Sequence, residues 1–335
     1  AAVRALQARA ERRDTTARQA AVLAAAYPFD SDFTEHWPAC ARLTPHVLAL
    51  HRAWPLAEGD RLESAAADYL YNQASYYLRH IAGFGPALAL ADSALALKRA
   101  RLPERHRDVA MGWSVLGNAY LDAGRLEDAV AAQAESLRLC EAHGHGVADT
   151  ATAHNNHAMA LREFGKEWCD RALLERAKAA DERALALYRD AFGTESKEVA
   201  TSLSNLAVDH DALGDTAVAL DPSLQALAIR RKVLPPGDAR LGFSLTNTGS
   251  YHLGLGQADA ARPLLTEALE LRRAAYGRDD HPHVTDTASW LVSCHLVLAR
   301  RDPDHEAEAR RIAADFGLDW DEEWRKAAQK RGPFD

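Results

Sequence analysis

The chain has 335 residues, with 47% apolar and 26% charged side chains and a formal net charge of −8. That composition excludes an intrinsically disordered chain. The negative charge argues against a nucleic-acid partner and against an anionic membrane surface. No apolar run approaches the roughly 18 residues that would span a bilayer, and the expected location is cytoplasmic. The four cysteines, Cys40, Cys140, Cys169 and Cys294, lie far apart with no Cys-x-x-Cys pair, which leaves neither a zinc ribbon nor a redox motif. Because the chain begins at Ala1 rather than methionine, a fragment or processed product is expected.

In chain order, residues 1–26 read as two helices, the second capped by Asp14-Thr15-Thr16. Tyr27-Pro28-Phe29-Asp30 is a break. Trp37-Pro38 opens a further helix, in which Trp37, Cys40, Leu43, Val47, Leu50 and Trp54 form one apolar face. Pro45 is expected to kink or restart that helix, since it has no N–H and clashes with the preceding turn.

From Asp60 the chain reads as helix pairs. The first runs from about Leu62 to His80, turns at Ala82-Gly83 and returns to about Arg101. The second contains Trp113-Ser-Val-Leu116-Gly117-Asn-Ala-Tyr120, the tetratricopeptide pattern W-x2-L-G-x2-Y letter for letter. Gly117 would let the neighbouring helix approach, with Trp113, Leu116 and Tyr120 filling the space between. The third pair spans about Thr150 to Phe192, with a longer turn around Gly165 to Asp170.

The fourth and fifth pairs contain one passage twice. Leu203 falls on Leu245, Asn205 on Asn247 and Gly214 on Gly256, an offset of 42 each time. A fixed period in this range marks a stacked repeat. Asp221-Pro222 is expected to open the return helix of the fourth pair, and Arg262-Pro263 to sit in the first turn of that of the fifth. Phe192-Gly193 and Tyr276-Gly277 end helices with a left-handed glycine. The sixth pair starts at Val284, and its return helix runs from about His305 to Phe316. The tail from Asp319 to Lys330, with Trp320 and Trp324 packed inward, has the character of a terminal cap.

The extended helices, the Asn205-Leu206-Ala207 core, the Gly277-Arg-Asp-Asp-His-Pro-His-Val284 loop and the period of 42 resemble the tetratricopeptide repeats of kinesin light chain and bacterial arrays of that type. The resemblance covers about residues 60–300. It implies an all-α, right-handed α-solenoid of about six helix pairs. A shorter stretch, Trp37-Pro38-Ala-Cys40-Ala-Arg-Leu43-Thr-Pro45-His46, is similar to the segment joining the nucleotide-binding and repeat halves of bacterial NB-ARC/STAND ATPases, relatives of NLR receptors. Val3 to Ala8 resembles the end of their winged-helix part. The chain would then divide into a connector (1–58), a repeat superhelix (59–300) and a C-terminal cap (301–335). It would be the sensor and autoinhibitory arm of such an ATPase. No Gly-x4-Gly-Lys-Ser/Thr occurs in the sequence. ATP or ADP with magnesium is therefore expected only in an upstream nucleotide-binding domain acting in cis, and no cofactor in this chain.

In tetratricopeptide arrays the first helix of each pair lines the concave face. Carried over, the lining positions hold Asn72 and Gln73 in the first pair, and Thr152, Asn155 and Asn156 in the third. They hold Thr201, Ser204 and Asn205 in the fourth, Phe243, Thr246 and Asn247 in the fifth, and Asp286, Ser289 and Trp290 in the sixth. Asparagine both donates and accepts, so such a ladder suits the backbone of an extended protein or peptide segment. The competing role is purely structural, with the asparagines bonding neighbouring helices. Arg162, one turn beyond Asn156, is expected to meet a carboxylate.

The histidines at 143 and 145, 154 and 157, and 281 and 283 invite a metal reading, yet no His-Glu-x-x-His occurs. Packing or polar lining is the expectation, with no metal and no catalytic residue assigned. Three functions compete: a sensor arm of an NLR-like ATPase, a free-standing peptide-binding scaffold, and a histidine-metal enzyme. They predict, in turn, an upstream P-loop, an initiator methionine just before Ala1, and tightly bound metal.

Overall fold

A computed structural model gives the structure of residues 15–27, 36–53, 65–235 and 237–329. The described residues form fifteen α-helices and no strand. The segments Val3 to Ala8, Pro28–Asp30 and Trp54 fall outside them. The chain divides into two compact units, Ala1–Asp170 and Arg171–Asp335.

Unit 1 holds α1 (15–26), α2 (Trp37–Ala53), α3 (Ala65–His80), α4 (Phe84–Arg101), α5 (Arg107–Asp122), α6 (Leu126–Ala142) and α7 (Val147–Glu167). Helices α3 and α4 pack as one pair, and α5 and α6 as the next. The close approach at Gly117 is real. A Cβ there would come within 2.7–2.8 Å of the Gln133 side chain, which fills that space and donates to Ser114 O (3.0 Å) and Asn118 Oδ1 (2.8 Å). Leu116 is buried, while Trp113 and Tyr120 are half-buried with the Arg99 and Arg125 guanidinium groups over their rings.

Pro45 neither breaks nor restarts α2, which runs unbroken from Trp37 to Ala53. A proline inside a helix costs about 3 kcal/mol. Cys40, Val47 and Leu50 are fully buried in the core shared with α3, and each such side chain contributes about 1.5–3 kcal/mol. The apolar face therefore outweighs the lost hydrogen bond. The longer turn expected at 165–170 is also shorter than its residues suggest. Helix α7 continues to Glu167, and the turn is carried by Trp168 and by Cys169 at φ 51°.

Unit 2 holds α8 (Arg171–Phe192), α9 (Lys197–Ala212), α10 (Thr216–Val233), α11 (Ala239–Gly254), α12 (Ala258–Tyr276), α13 (Pro282–Leu298), α14 (Asp304–Asp315) and α15 (Trp320–Gln329). Helices α9 and α10 form one pair and α11 and α12 the next, with α8 against α9 and α13 against α12. A Cβ at Gly249 would come within 2.8 Å of Leu265, the same close approach as at Gly117 but against an apolar neighbour.

The prolines of the return helices do not lie where the sequence reading puts them. Helix α10 begins at Thr216 and α12 at Ala258, so Pro222 and Pro263 lie inside their helices rather than in the first turn. The glycine-containing turns Gly214-Asp215 and Gly256-Gln257 start the helices at once, and buried Ala219, Ala226, Ala261 and Leu265 hold them through the proline. Gly277 caps α12 at φ 64°, as its position implies. The terminal helices α14 and α15 both pack on α13. Trp320 joins that core under the Arg310 guanidinium, but Trp324 departs from expectation and stays 44% exposed.

Candidate functional site

Each unit presents its own row of first-helix side chains. In unit 1 the row comes from α3, α5 and α7. Between them lies a cavity of about 190 Å³ bordered by Tyr76, Met111, Ser114, Asn118, Thr152 and Asn156. Its edge carries Arg107 and Asp149, joined by a paired ion contact that includes Arg107 Nη2 to Asp149 Oδ1 (2.7 Å). Asn156 Nδ2 donates to Ser114 Oγ (2.8 Å), linking α7 to α5. That bond is the structural role open to this asparagine, and its side-chain oxygen is not used in it. Asn72, Gln73 and Asn155 are half-buried on the same set of helices, and Asn72 Oδ1 is buried with no hydrogen-bond partner among the described residues.

Arg162 does not reach that surface. Its side chain is 4% exposed, lying beside Glu163 at 3.9 Å, so it cannot meet a ligand carboxylate. Sequence spacing placed it one turn from Asn156 but could not show which side of α7 is packed.

In unit 2 the row comes from α9, α11 and α13. Thr201, Ser204 and Asn205 on α9 are half-buried, as are Phe243 and Asn247 on α11. Thr246 is a second exception. It is buried, donating to Gly242 O (2.9 Å) and lying 3.4 Å from Thr287 Oγ1, so it ties α11 to α13 rather than lining a surface. Asp286 is exposed, with 56% of its side chain open, and Trp290 packs on the C-terminal core.

Two arginines on the return helices reach this row and were not singled out from the sequence. Arg230 of α10 donates to Ser244 Oγ and to Thr201 Oγ1 (3.3 Å). Arg272 of α12 donates to His283 O (2.8 Å) and Thr287 Oγ1, lies 3.6 Å from Asp286 Oδ2, and stacks over Phe243 at 4.5 Å. Their separation is the repeat period of 42, the one sequence signal that could have found them. Beside them His281 stacks on Tyr276 (3.8 Å between ring centroids) and His283 meets Phe243 edge-on (4.8 Å). Burial, then Arg278 and Arg272, holds His281 below the usual imidazole range.

The other histidines are accounted for by packing and pairing. His154 faces Glu141 (3.2 Å), His157 is buried, and His145 Nε2 lies 3.0 Å from Arg105 O. Among the described residues no group of three His, Cys, Asp or Glu is placed to hold a metal ion. Among them, too, no helix is long and apolar enough to cross a membrane.

Parts of both units match models of the tetratricopeptide repeat. Tetratricopeptide repeat models match residues 169–232, and 114–143 with 244–283. No curated protein matches the chain in sequence. Among solved structures, BtubC (BKLC) from P. vanneervenii is similar, at 22% identity and a TM-score of 0.51, over 72% of this chain and 91% of that one. A Rap protein complexed with Competence and Sporulation Factor is similar at 14% identity and a TM-score of 0.57, over 96% and 100%. Repeats of a candidate kinesin light chain of Podosopora anserina align at 17% identity and a TM-score of 0.49, over 63% and 98%. For BtubC and the Rap protein the likeness is one of fold, an α-solenoid of helix pairs.

Proposed function

We propose that the first-helix rows of this protein bind an extended protein or peptide segment. The observation that carries this reading is the run of half-exposed polar and aromatic side chains at equivalent places on successive first helices. These are Asn155 and Asn156 in unit 1, and Thr201, Ser204, Asn205, Phe243 and Asn247 in unit 2. Amide side chains in such a row can pair with a peptide backbone without demanding its side chains. Tetratricopeptide repeats are in general protein-interaction modules, and the similar Rap protein is itself solved with a bound factor. On this reading Asp286 and Trp290 border the far end of the unit 2 row.

The wider role is the sensor and autoinhibitory arm of an NLR-like STAND ATPase. Residues 1–58 act as connector, 59–300 as repeats and 301–335 as cap. The nucleotide-binding domain, with its ATP or ADP and magnesium, is supplied in cis upstream. A ligand would then act by binding one state of the switch more tightly than the other. An antibody to this chain should detect in source cells a polypeptide far larger than 36.6 kDa. A band at that mass would remove the switch and leave a free-standing scaffold.

Binding itself is tested by replacing Asn156, Asn205 and Asn247 together by alanine and capturing peptides from an immobilised random library. Loss of the Asn156–Ser114 bond should cost about 1 kcal/mol and leave the fold intact, while capture is abolished. A variant that still captures the same peptides, or that melts far earlier, contradicts a binding role for the row.

A further inference from the structure

The return helices of unit 2 repeat one position three times, and its charge is balanced in only two of them. The residues are Tyr188, Arg230 and Arg272, each 42 apart. Fourteen residues on from each stands Ser202, Ser244 and Asp286. The first joint is neutral on both sides, with Tyr188 and Ser202 both buried. In the last joint both sides are charged, and Arg272 faces Asp286 at 3.6 Å. Only the middle joint is mismatched: Arg230 reaches a serine hydroxyl where Arg272 has a carboxylate nearby.

Among the described residues no carboxylate bonds Arg230, although the charge of Asp238 acts on it from nearby. Among the described residues its hydrogen bonds go to Ser244 Oγ and Thr201 Oγ1 alone. A guanidinium carries five N–H donors, so most of its fork remains unused. The carboxylate on the α10–α11 loop, Asp238, is committed to Arg240. It accepts from Arg240 N (2.9 Å), Nε (2.9 Å) and Nη2 (2.7 Å). Arg240 and Asp238 thus offset one another and leave the charge of Arg230 in excess. Burial, then the nearby Arg240, pull the Arg230 guanidinium down to about 10, with Asp238 acting against them. A half-buried cation of this kind is costly unless a counter-ion completes it.

We propose that Arg230 is the seat for an oxyanion, carboxylate or phosphate, carried by the bound segment. The oxyanion takes the place that Asp286 fills beside Arg272. Guanidinium matches either group in bidentate geometry. The Ser244 and Thr201 hydroxyls orient the fork from α11 and α9. This proposal deepens the peptide-binding reading and rests on it, since the unit 2 row must be open to ligand.

The test titrates sodium phosphate and disodium succinate, at constant ionic strength, into the full 335-residue chain. The readout is the side-chain Nε–H resonance of Arg230, assigned through Arg230→Lys. The proposal expects a saturable shift. A response to phosphate alone points to a phosphorylated segment, and one to succinate alone to an acidic side chain or chain terminus. Ser244→Asp rebuilds the internal pair of the last joint and should weaken anion binding at least tenfold while raising the melting temperature. An unmoved resonance, or a shift that chloride reproduces at equal ionic strength, overturns the proposal. Should Ser244→Asp fail to fold, Arg230→Gln serves with the peptide library. Capture of acidic or phosphorylated peptides should fall at least tenfold. Capture that survives Arg230→Gln unchanged overturns the oxyanion seat and leaves the peptide-binding row standing. Failure of the wild-type chain to capture any peptide overturns both.

Discussion

Both units bury cations near the ends of their return helices, and they treat the charge differently. In unit 1, Lys98 and Arg101 of α4 share the buried carboxylate of Asp68, at 3.1 and 2.5 Å. In unit 2, Arg230 of α10 meets only hydroxyl groups. The turns differ as well. Unit 1 holds two non-glycine residues at positive φ, Ala82 (61°) and Cys169 (51°), whereas every positive φ described in unit 2 belongs to a glycine. What the units share is the close approach inside a pair, at Gly117 against Gln133 and at Gly249 against Leu265. The repeat therefore demands a small residue and an apolar face. It leaves charge pairing free to vary, and that freedom is where ligand chemistry can be written.

The largest effect is expected from removing the carboxylate of unit 1. Asp68→Asn leaves Lys98 buried without its bonded carboxylate, with only the more distant charge of Asp108, and should cost about 3–5 kcal/mol in denaturant unfolding. Arg230→Met, which removes a cation that has no internal partner, should be neutral or stabilising by the same measurement. Equal losses in both variants would show that Arg230 is as fully compensated as Lys98. Overpacking the shared feature comes next. Gly117→Leu drives side-chain atoms into the space held by Gln133 and should cost about 1–3 kcal/mol, read as a lowered melting temperature.

Unit 2 has a second electrostatic site, buried His295 against half-buried His305, with Nδ1 atoms 3.0 Å apart. Burial, then His305, lowers His295 to about 4, with Arg262 and Arg311 acting in the same direction and Glu308 against it. The fold thus excludes a proton that the unfolded chain binds near pH 6.5. Stability from this site is complete above that pH and falls as the pH drops towards 4. Between pH 7 and pH 5 the loss should be on the order of 1–2 kcal/mol. His295→Gln should flatten the dependence, and a slope that survives the substitution would place its origin elsewhere. The smallest effect belongs to the turns of unit 1. Ala82→Gly and Cys169→Gly should each stabilise by about 0.5–1 kcal/mol by relieving positive φ, visible as a small rise in melting temperature.

The helix pairs were legible in the sequence because their marks are local. Gly117 within its tryptophan-leucine-tyrosine frame and the 42-residue echo both reflect packing that every repeat must satisfy. Helix starts at the prolines were not legible. Pro45, Pro222 and Pro263 obey a local rule that buried neighbours override. Asn156, Asn205 and Asn247 were picked out by carrying the family's positions onto the first helices, where all three are half-buried. Thr246 and Arg162 fit the same spacing, yet residue type does not reveal which side of a helix is covered. Arg230 was missed for a different reason. It lies on a return helix, and only its long side chain brings its charge to the first-helix row.

The most direct measurement is photo-crosslinking of a random extended peptide library, each peptide carrying a benzophenone, to the full chain, with the crosslinked sites mapped by mass spectrometry. Crosslinks are expected on the first-helix rows, at Met111 and Asn156 in unit 1 and at Phe243 and Asn247 in unit 2. Crosslinks confined to the exposed outer residues of the return helices, such as Val218 and Leu224 of α10, would contradict that expectation.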